Sequence, residues 1–106
     1  MVAHEHPVVF SSCPNMLVAE QLARALVERK AAACVNIVPD VRSACRWRGA
    51  VEIDTEQMLV IKCMRENYPL VEKCIVHLHP YDVPEVIALP ITTGARGYLD
   101  WLEERE

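Results

Sequence analysis

Two long runs of alternating side chains, joined at Arg48-Gly49, constrain this chain more than any other feature. From Cys34 the sequence repeats with a period of two. Val35, Ile37, Val41, Cys45 and Trp47 fall on one face, and Asn36, Asp40, Arg42, Arg46 and Arg48 mostly on the other. Arg48-Gly49 is a turn signal, and VEIDTEQMLVIKCM (51–64) returns as a second strand. Its first half sets Glu52, Asp54 and Glu56 outward; its second half, MLVIKCM, is apolar on both faces, which predicts a central place in a sheet. Pro39 has no N–H to give to a ladder, so the first run lies at an edge or carries a bulge. Arms of roughly a dozen residues exceed the usual strand of about 5–6. A small sheet cannot pair such arms internally, and an edge carrying Val41 and Trp47 invites association. The expectation is a protruding hairpin that pairs with a neighbouring subunit; two shorter strands broken at Pro39-Asp40 are the alternative.

The rest of the chain supplies the layers around this hairpin. PVVFSSC (7–13) reads as a short buried strand ending at Cys13-Pro14. Asn15 is a good N-cap for a helix running to about Lys30, with Val18, Leu22, Ala25, Leu26 and Arg29 at helical spacing and Arg29-Lys30 complementing its C-terminal dipole. Asn67 caps a second helix with Pro69 in its first turn and Leu70, Val71, Cys74, Ile75 and Leu78 on its apolar face. That helix stops at His79, because a residue before proline is pushed out of the α region. EVIALP (85–90) reads as a short buried strand, and RGYLDWLEERE as a terminal helix burying Tyr98, Trp101 and Leu102. The order β-α-β-β-α-β plus a final helix is the α+β, ferredoxin-like plan, with two helices on one face of an antiparallel sheet.

The length of 106 residues is that of a single domain, 1–106, of which 1–6 read as a flexible tail. With 52% hydrophobic residues the chain can build one packed core without disulfide staples. A net charge of −4 and no basic stripe argue against nucleic acid. No apolar run approaches the roughly 20 residues of a membrane span. MVAHEHPVVF lacks the basic and apolar regions of a secretory signal. The five cysteines, at 13, 34, 45, 63 and 74, form no Cys-x-x-Cys pair and read as reduced, mostly buried thiols of a cytoplasmic protein, with Cys13 the exception to burial.

Catalytic motifs are missing from the sequence. It has no glycine-rich phosphate loop and no nucleophile elbow, and a Cys13–His79 pairing is one of many that five cysteines and four histidines offer. Metal binding has more behind it. His77 and His79 flank the end of the second helix, and with Cys13 they offer imidazole and thiolate donors suited to copper or zinc. At i, i+2 the two histidines point about 200° apart on a helix, so they share an ion only if the helix has ended. The alternative gives His79 a structural task, capping the helix end and bonding a carbonyl. Asp82-x-x-Glu85 can hold a cation or cap a turn, and local backbone bonding is the commoner use of such an aspartate.

Taken together, SSCPN (11–15), ALVERKAAACVNIVPDVRS (25–43), W-x-G (47–49), HPYDVPEVIALP (79–90) and G-x-x-x-YLDWL (94–102) resemble the CutA family, the divalent-cation tolerance proteins, over about residues 7–102. The resemblance implies a ferredoxin-like subunit in a tight, highly stable homotrimer whose hairpins pair between subunits, similar in architecture to PII-type signalling proteins. It also implies a link to copper and other divalent metals, a possible protein partner through the mammalian members' connection with acetylcholinesterase anchoring, and no enzymatic reaction. In bacterial relatives copper is associated with a strand-end cysteine and a His-His pair before Pro-Tyr. Here those positions hold Ser11 and Leu78, so only His79 matches, with Cys13 and His77 as substitutes two residues away. Cys45 and Cys63 also depart from the family's common tyrosine and threonine. Two functions follow as expectations: a metal-ion tolerance protein binding copper through His79, Cys13 and His77, or a PII-like sensor with a ligand or partner in inter-subunit clefts lined by Trp47, Tyr81 and Glu85.

Overall fold

The computed structural model describes residues 6–105. Their order is β1 (Val8–Cys13), α1 (Met16–Glu28), β2 (Cys34–Trp47), β3 (Ala50–Lys62), a 3₁₀ turn (Arg65–Asn67), α2 (Tyr68–Leu78), β4 (Ile87–Leu89) and α3 (Arg96–Glu104). The four strands form one antiparallel sheet in the order β2-β3-β1-β4, an α+β arrangement with β3 in the interior as its apolar second half predicts.

Helices α1 and α2 cover one face of this sheet. Val9, Cys13, Leu59 and Ile61 point into a single core with Leu22 and Leu26 of α1 and Val71 and Ile75 of α2. Asn15 caps α1 as expected, its side chain accepting from the Val18 N–H at 2.9 Å. The helix ends in a Schellman motif: Lys30 N bonds Val27 O at 3.1 Å and Ala31 N bonds Leu26 O at 2.9 Å. Lys30 takes the left-handed position, φ 59°, that glycine usually fills. Lys30→Gly is therefore expected to raise unfolding free energy by roughly 0.5–1 kcal/mol, relieved strain exceeding glycine's entropy in the unfolded chain; guanidinium denaturation measures it. Asn67 precedes α2, but its side chain makes no capping bond, because the 3₁₀ turn leads directly into the helix.

The hairpin is as long as its sequence suggests, with strands of 14 and 13 residues closed by a two-residue turn at Arg48 (φ 50°) and Gly49 (φ 81°). Pro39 marks both an edge strand and a bulge: Val38 pairs with Met58 and Val41 with Glu56, so two residues oppose one. The extra residue reverses the faces. Val35 and Ile37 look toward the helices, whereas Val41, Cys45 and Trp47, expected beside them, register with Glu56, Glu52 and Ala50 on the opposite face. Asp40 occupies the bulge at φ 57°, its N–H donating to Gln57 Oε1 at 3.1 Å.

Other burial expectations change with position. β4 is exposed, not buried, because it is a three-residue strand at the sheet edge. In α3 the buried residues are Leu99 and Leu102; Trp101 is half-buried and Tyr98 is exposed, stacked on Trp101 with ring centroids 5.8 Å apart. Leu70 and Leu78 of α2 are also exposed. His6, read as part of a loose tail, is fully buried, with Nε2 3.4 Å from Glu103 Oε1; residues 1–5 of that tail lie outside the described residues.

The helix-free face of the sheet is the largest unsatisfied feature of the single chain. Val38, Met58 and Ser12 form one row across it, Asn36, Val60, Phe10 and Ile87 a second, and Val8 and Leu89 lie in a third. Val38, Ile87 and Leu89 are exposed and the remaining apolar members are half-buried. Contiguous apolar surface of this kind marks an interaction site.

Candidate functional site

β4 pairs only with Val8–Phe10, so the last residues of β1 would present unpaired edge groups. The segment after α2 covers them. His79 ends the helix in extended backbone (φ −72°, ψ 140°) and swings its ring under the strand end. Its Nδ1 accepts from the Tyr81 N–H at 3.1 Å, which places the ring proton on Nε2, and Nε2 donates to the Ser12 carbonyl at 2.8 Å. Both ring nitrogens of this 7%-exposed side chain are thus committed to backbone.

Around this anchor the loop and hairpin meet. The Tyr81 ring lies 4.7 Å from that of His79, and its hydroxyl donates to Glu56 Oε2 at 3.3 Å. Ser12 Oγ donates to Glu85 Oε1 at 3.2 Å. Burial, reinforced by the Glu56 carboxylate, raises the Tyr81 phenol above its ordinary value and keeps it a donor. The result is a surface patch with a rigid backbone-anchored imidazole behind it and two carboxylates, Glu56 and Glu85, at its front.

Cys13 joins this region from behind, with no exposed surface: it shares the helix-facing side of β1 with Val9 and Ser11, not the loop side that Pro14 suggests. Desolvation, and after it Glu56, pushes its thiol from 9.0 up to about 11. A raised thiol pKa stabilises the fold below the unfolded value and loses that contribution as pH climbs through the folded value. Stability is therefore expected to fall between pH 9.0 and about 11, and near neutrality iodoacetamide should label Cys45, the exposed thiol, before buried Cys13, Cys63 and Cys74. Mass spectrometry of the native protein checks the order. Ser11 lies in the same core, its Oγ without a hydrogen-bond partner.

Of the residues singled out in sequence, the fold brings together His79, Tyr81, Glu85 and Cys13. Glu56 and Ser12 complete the group; in sequence they are one member of an outward acidic row and part of SSCPN, and only the fold sets them beside Tyr81 and Glu85. His77 stands apart, exposed on α2. Trp47 is also separate. It pairs with Ala50, six residues along β3 from Glu56, or about 20 Å at the strand rise, and there it stacks against Arg48, whose guanidinium carbon lies 5.3 Å from the ring centre.

Copper coordination conflicts with the present bonding of these side chains. His79 would have to break two backbone bonds to offer a nitrogen, Cys13 holds its proton in the core, and His77 faces elsewhere. Among the described residues no three His, Cys, Asp or Glu side chains are grouped as metal ligands. These three residues do not fit a metal centre within one chain.

Comparison with known proteins supplies a family. The sequence profile described as CutA1 divalent ion tolerance protein matches residues 7–105. The divalent-cation tolerance protein CutA of Thermus thermophilus is 48% identical over 97 residues, covering 92% of this chain and 94% of its own. Human protein CutA is 42% identical over 95 residues, 90% of this chain but 53% of its own, so the chain spans about half the length of that relative. Among solved structures, one described as the periplasmic divalent cation tolerance protein CutA of Archaeoglobus fulgidus superposes with a TM-score of 0.90 at 35% identity, covering 94% of this chain and 97% of the other.

Proposed function

Because the chain belongs to the CutA1 divalent ion tolerance family, we propose that it serves divalent-cation tolerance as a non-catalytic, ferredoxin-like homotrimer, a PII-like sensor holding a small ligand or protein partner between subunits. What supports the assembly is the apolar, helix-free sheet face together with a hairpin whose outer half lies beyond its own sheet. What supports the cleft is distance. Trp47 is too far along the hairpin to meet Tyr81 and Glu85 of its own chain, and reaches such a group only on another copy.

In this reading Tyr81, Glu85 and Glu56 present the polar side of the cleft and Trp47 of a second copy the aromatic side, while His79 is a positioning residue. Binding of copper through His79, Cys13 and His77 is the weaker reading, since it requires three side chains to leave their present places. A cytoplasmic location accompanies the proposal and rests on five free thiols, one of them exposed, which suit a reducing compartment. Among the described residues no helix is long and apolar enough to cross a membrane.

Cross-linking tests the shared cleft. In a Cys45→Ser background, Trp47→Cys and Tyr81→Cys together should form disulfides between chains under mild oxidation. Bands of two and three chains on a non-reducing gel are expected; a gel with single chains alone would count against it.

A further inference from the structure

The helix layer carries a hollow of about 650 Å³ that the cleft does not use. It lies where the C-terminal end of α1 meets α2. Leu70, Lys73, Cys74 and His77 stand at i, i+3, i+4 and i+7, so all four share one face of α2. Arg29 reaches over from the C-cap of α1, and Val76 adds to the wall. Cys74 is buried, and its sulfur accepts a hydrogen bond from Arg29 Nη1 at 3.6 Å, which holds the guanidinium against the hollow.

Charge is sorted around this hollow. In a chain of net charge −4, its lining includes a guanidinium, an ammonium and an imidazole but no carboxylate. The acids adjacent in sequence are engaged elsewhere: Glu72 accepts from the Tyr68 hydroxyl at 3.1 Å, and Glu28 faces Arg24 at 3.9 Å. The close base–carboxylate pairs among the described residues are His6–Glu103 and Arg24–Glu28, so Arg29, Lys73 and His77 take part in none of them. Some of this positive charge complements the carbonyl end of α1. A planar guanidinium beside an ammonium has donor capacity beyond that task, and the pair suits the several oxygens of a phosphate group. Leu70 and Val76, both exposed, supply an apolar wall beside the cations.

We propose that this hollow is a binding site for a small phosphate monoester, its phosphate held by Arg29 and Lys73 with His77 as a further donor and its apolar group resting on Leu70 and Val76. The site is built from the helix layer, on the side of the sheet opposite the open apolar face, so it is independent of the assembly proposed above.

Calorimetric titration of the full chain with phenyl phosphate, inorganic phosphate and benzoate tests it. Phenyl phosphate should bind saturably, and more tightly than either of the other two. Arg29→Gln and Lys73→Gln should each weaken it about tenfold, the worth of one charge-assisted hydrogen bond. Arg65→Gln, exposed in the turn before α2 and outside the hollow, should leave affinity unchanged. Lys73 is exposed, so its variant keeps the test valid if Arg29→Gln perturbs folding. No saturable binding of phenyl phosphate would overturn the proposal. So would benzoate or inorganic phosphate binding equally well, or Arg65→Gln losing as much affinity as Lys73→Gln.

Discussion

Val60→Glu is expected to dissociate the assembly into single chains. Val60 sits near the middle of the helix-free sheet face, registered between Asn36 on one side and Phe10 on the other. In the proposed trimer that face is covered by another copy. A carboxylate forced into such an interface costs several kcal/mol in lost hydration, and each of the three copies carries one. The valine also forfeits about 1.5–3 kcal/mol of apolar burial. In the isolated chain the same position is only half-buried, so the fold of one subunit tolerates the glutamate better than the assembly does. Sedimentation velocity reads the difference. Leu17→Glu is the control, since Leu17 is 67% exposed on α1 and should leave the mass unchanged. A Val60→Glu protein that keeps its multi-chain mass would show that this face is not the interface.

His79→Ala separates a structural histidine from a metal ligand. The substitution removes both ring bonds and leaves the Ser12 carbonyl without its partner at the strand end. Leaving a buried acceptor unpaired costs about 1–3 kcal/mol, and the lost ring adds a cavity. Unfolding free energy is therefore expected to fall by about 2–4 kcal/mol, measured by guanidinium denaturation. Copper affinity, titrated with Cu(II) on the reduced protein, should match that of the unsubstituted chain. A large loss of copper affinity with little loss of stability would reverse the assignment and make His79 a ligand.

Much of the fold was legible because its signals are local. The period of two on both sides of Arg48-Gly49, Asn15 before a helical stripe and Pro80 after His79 each act through the residues beside them. The bulge shows the limit. Pro39 announced it, but one inserted residue exchanges the faces of everything beyond it, and where it falls depends on how β2 registers against β3. Cys13 carried a readable signal that its neighbour obscured: it continues the alternation of Val9 and Ser11 into the core, although Pro14 suggests a loop.

The site was legible in part. Tyr81, Glu85 and His79 belong to one recognisable segment, and the fold keeps them together. Their partners were harder to find, because the His79 ring bonds a backbone carbonyl 67 residues away, and a carbonyl leaves no mark in the sequence. Glu56 looked like one member of an outward acidic row with Glu52 and Asp54, and only the approach of Tyr81 distinguishes it. Trp47 belongs with Tyr81 only where two subunits are neighbours. The length of the hairpin makes that condition necessary.

Without assembly there is no cleft, so the solution mass of the purified chain is decisive. Light scattering after size exclusion should return three times the 12.0 kDa of the single chain, independent of dilution over the accessible range. A mass of one chain would contradict it, leaving the apolar sheet face uncovered and Trp47 with no route to the cleft.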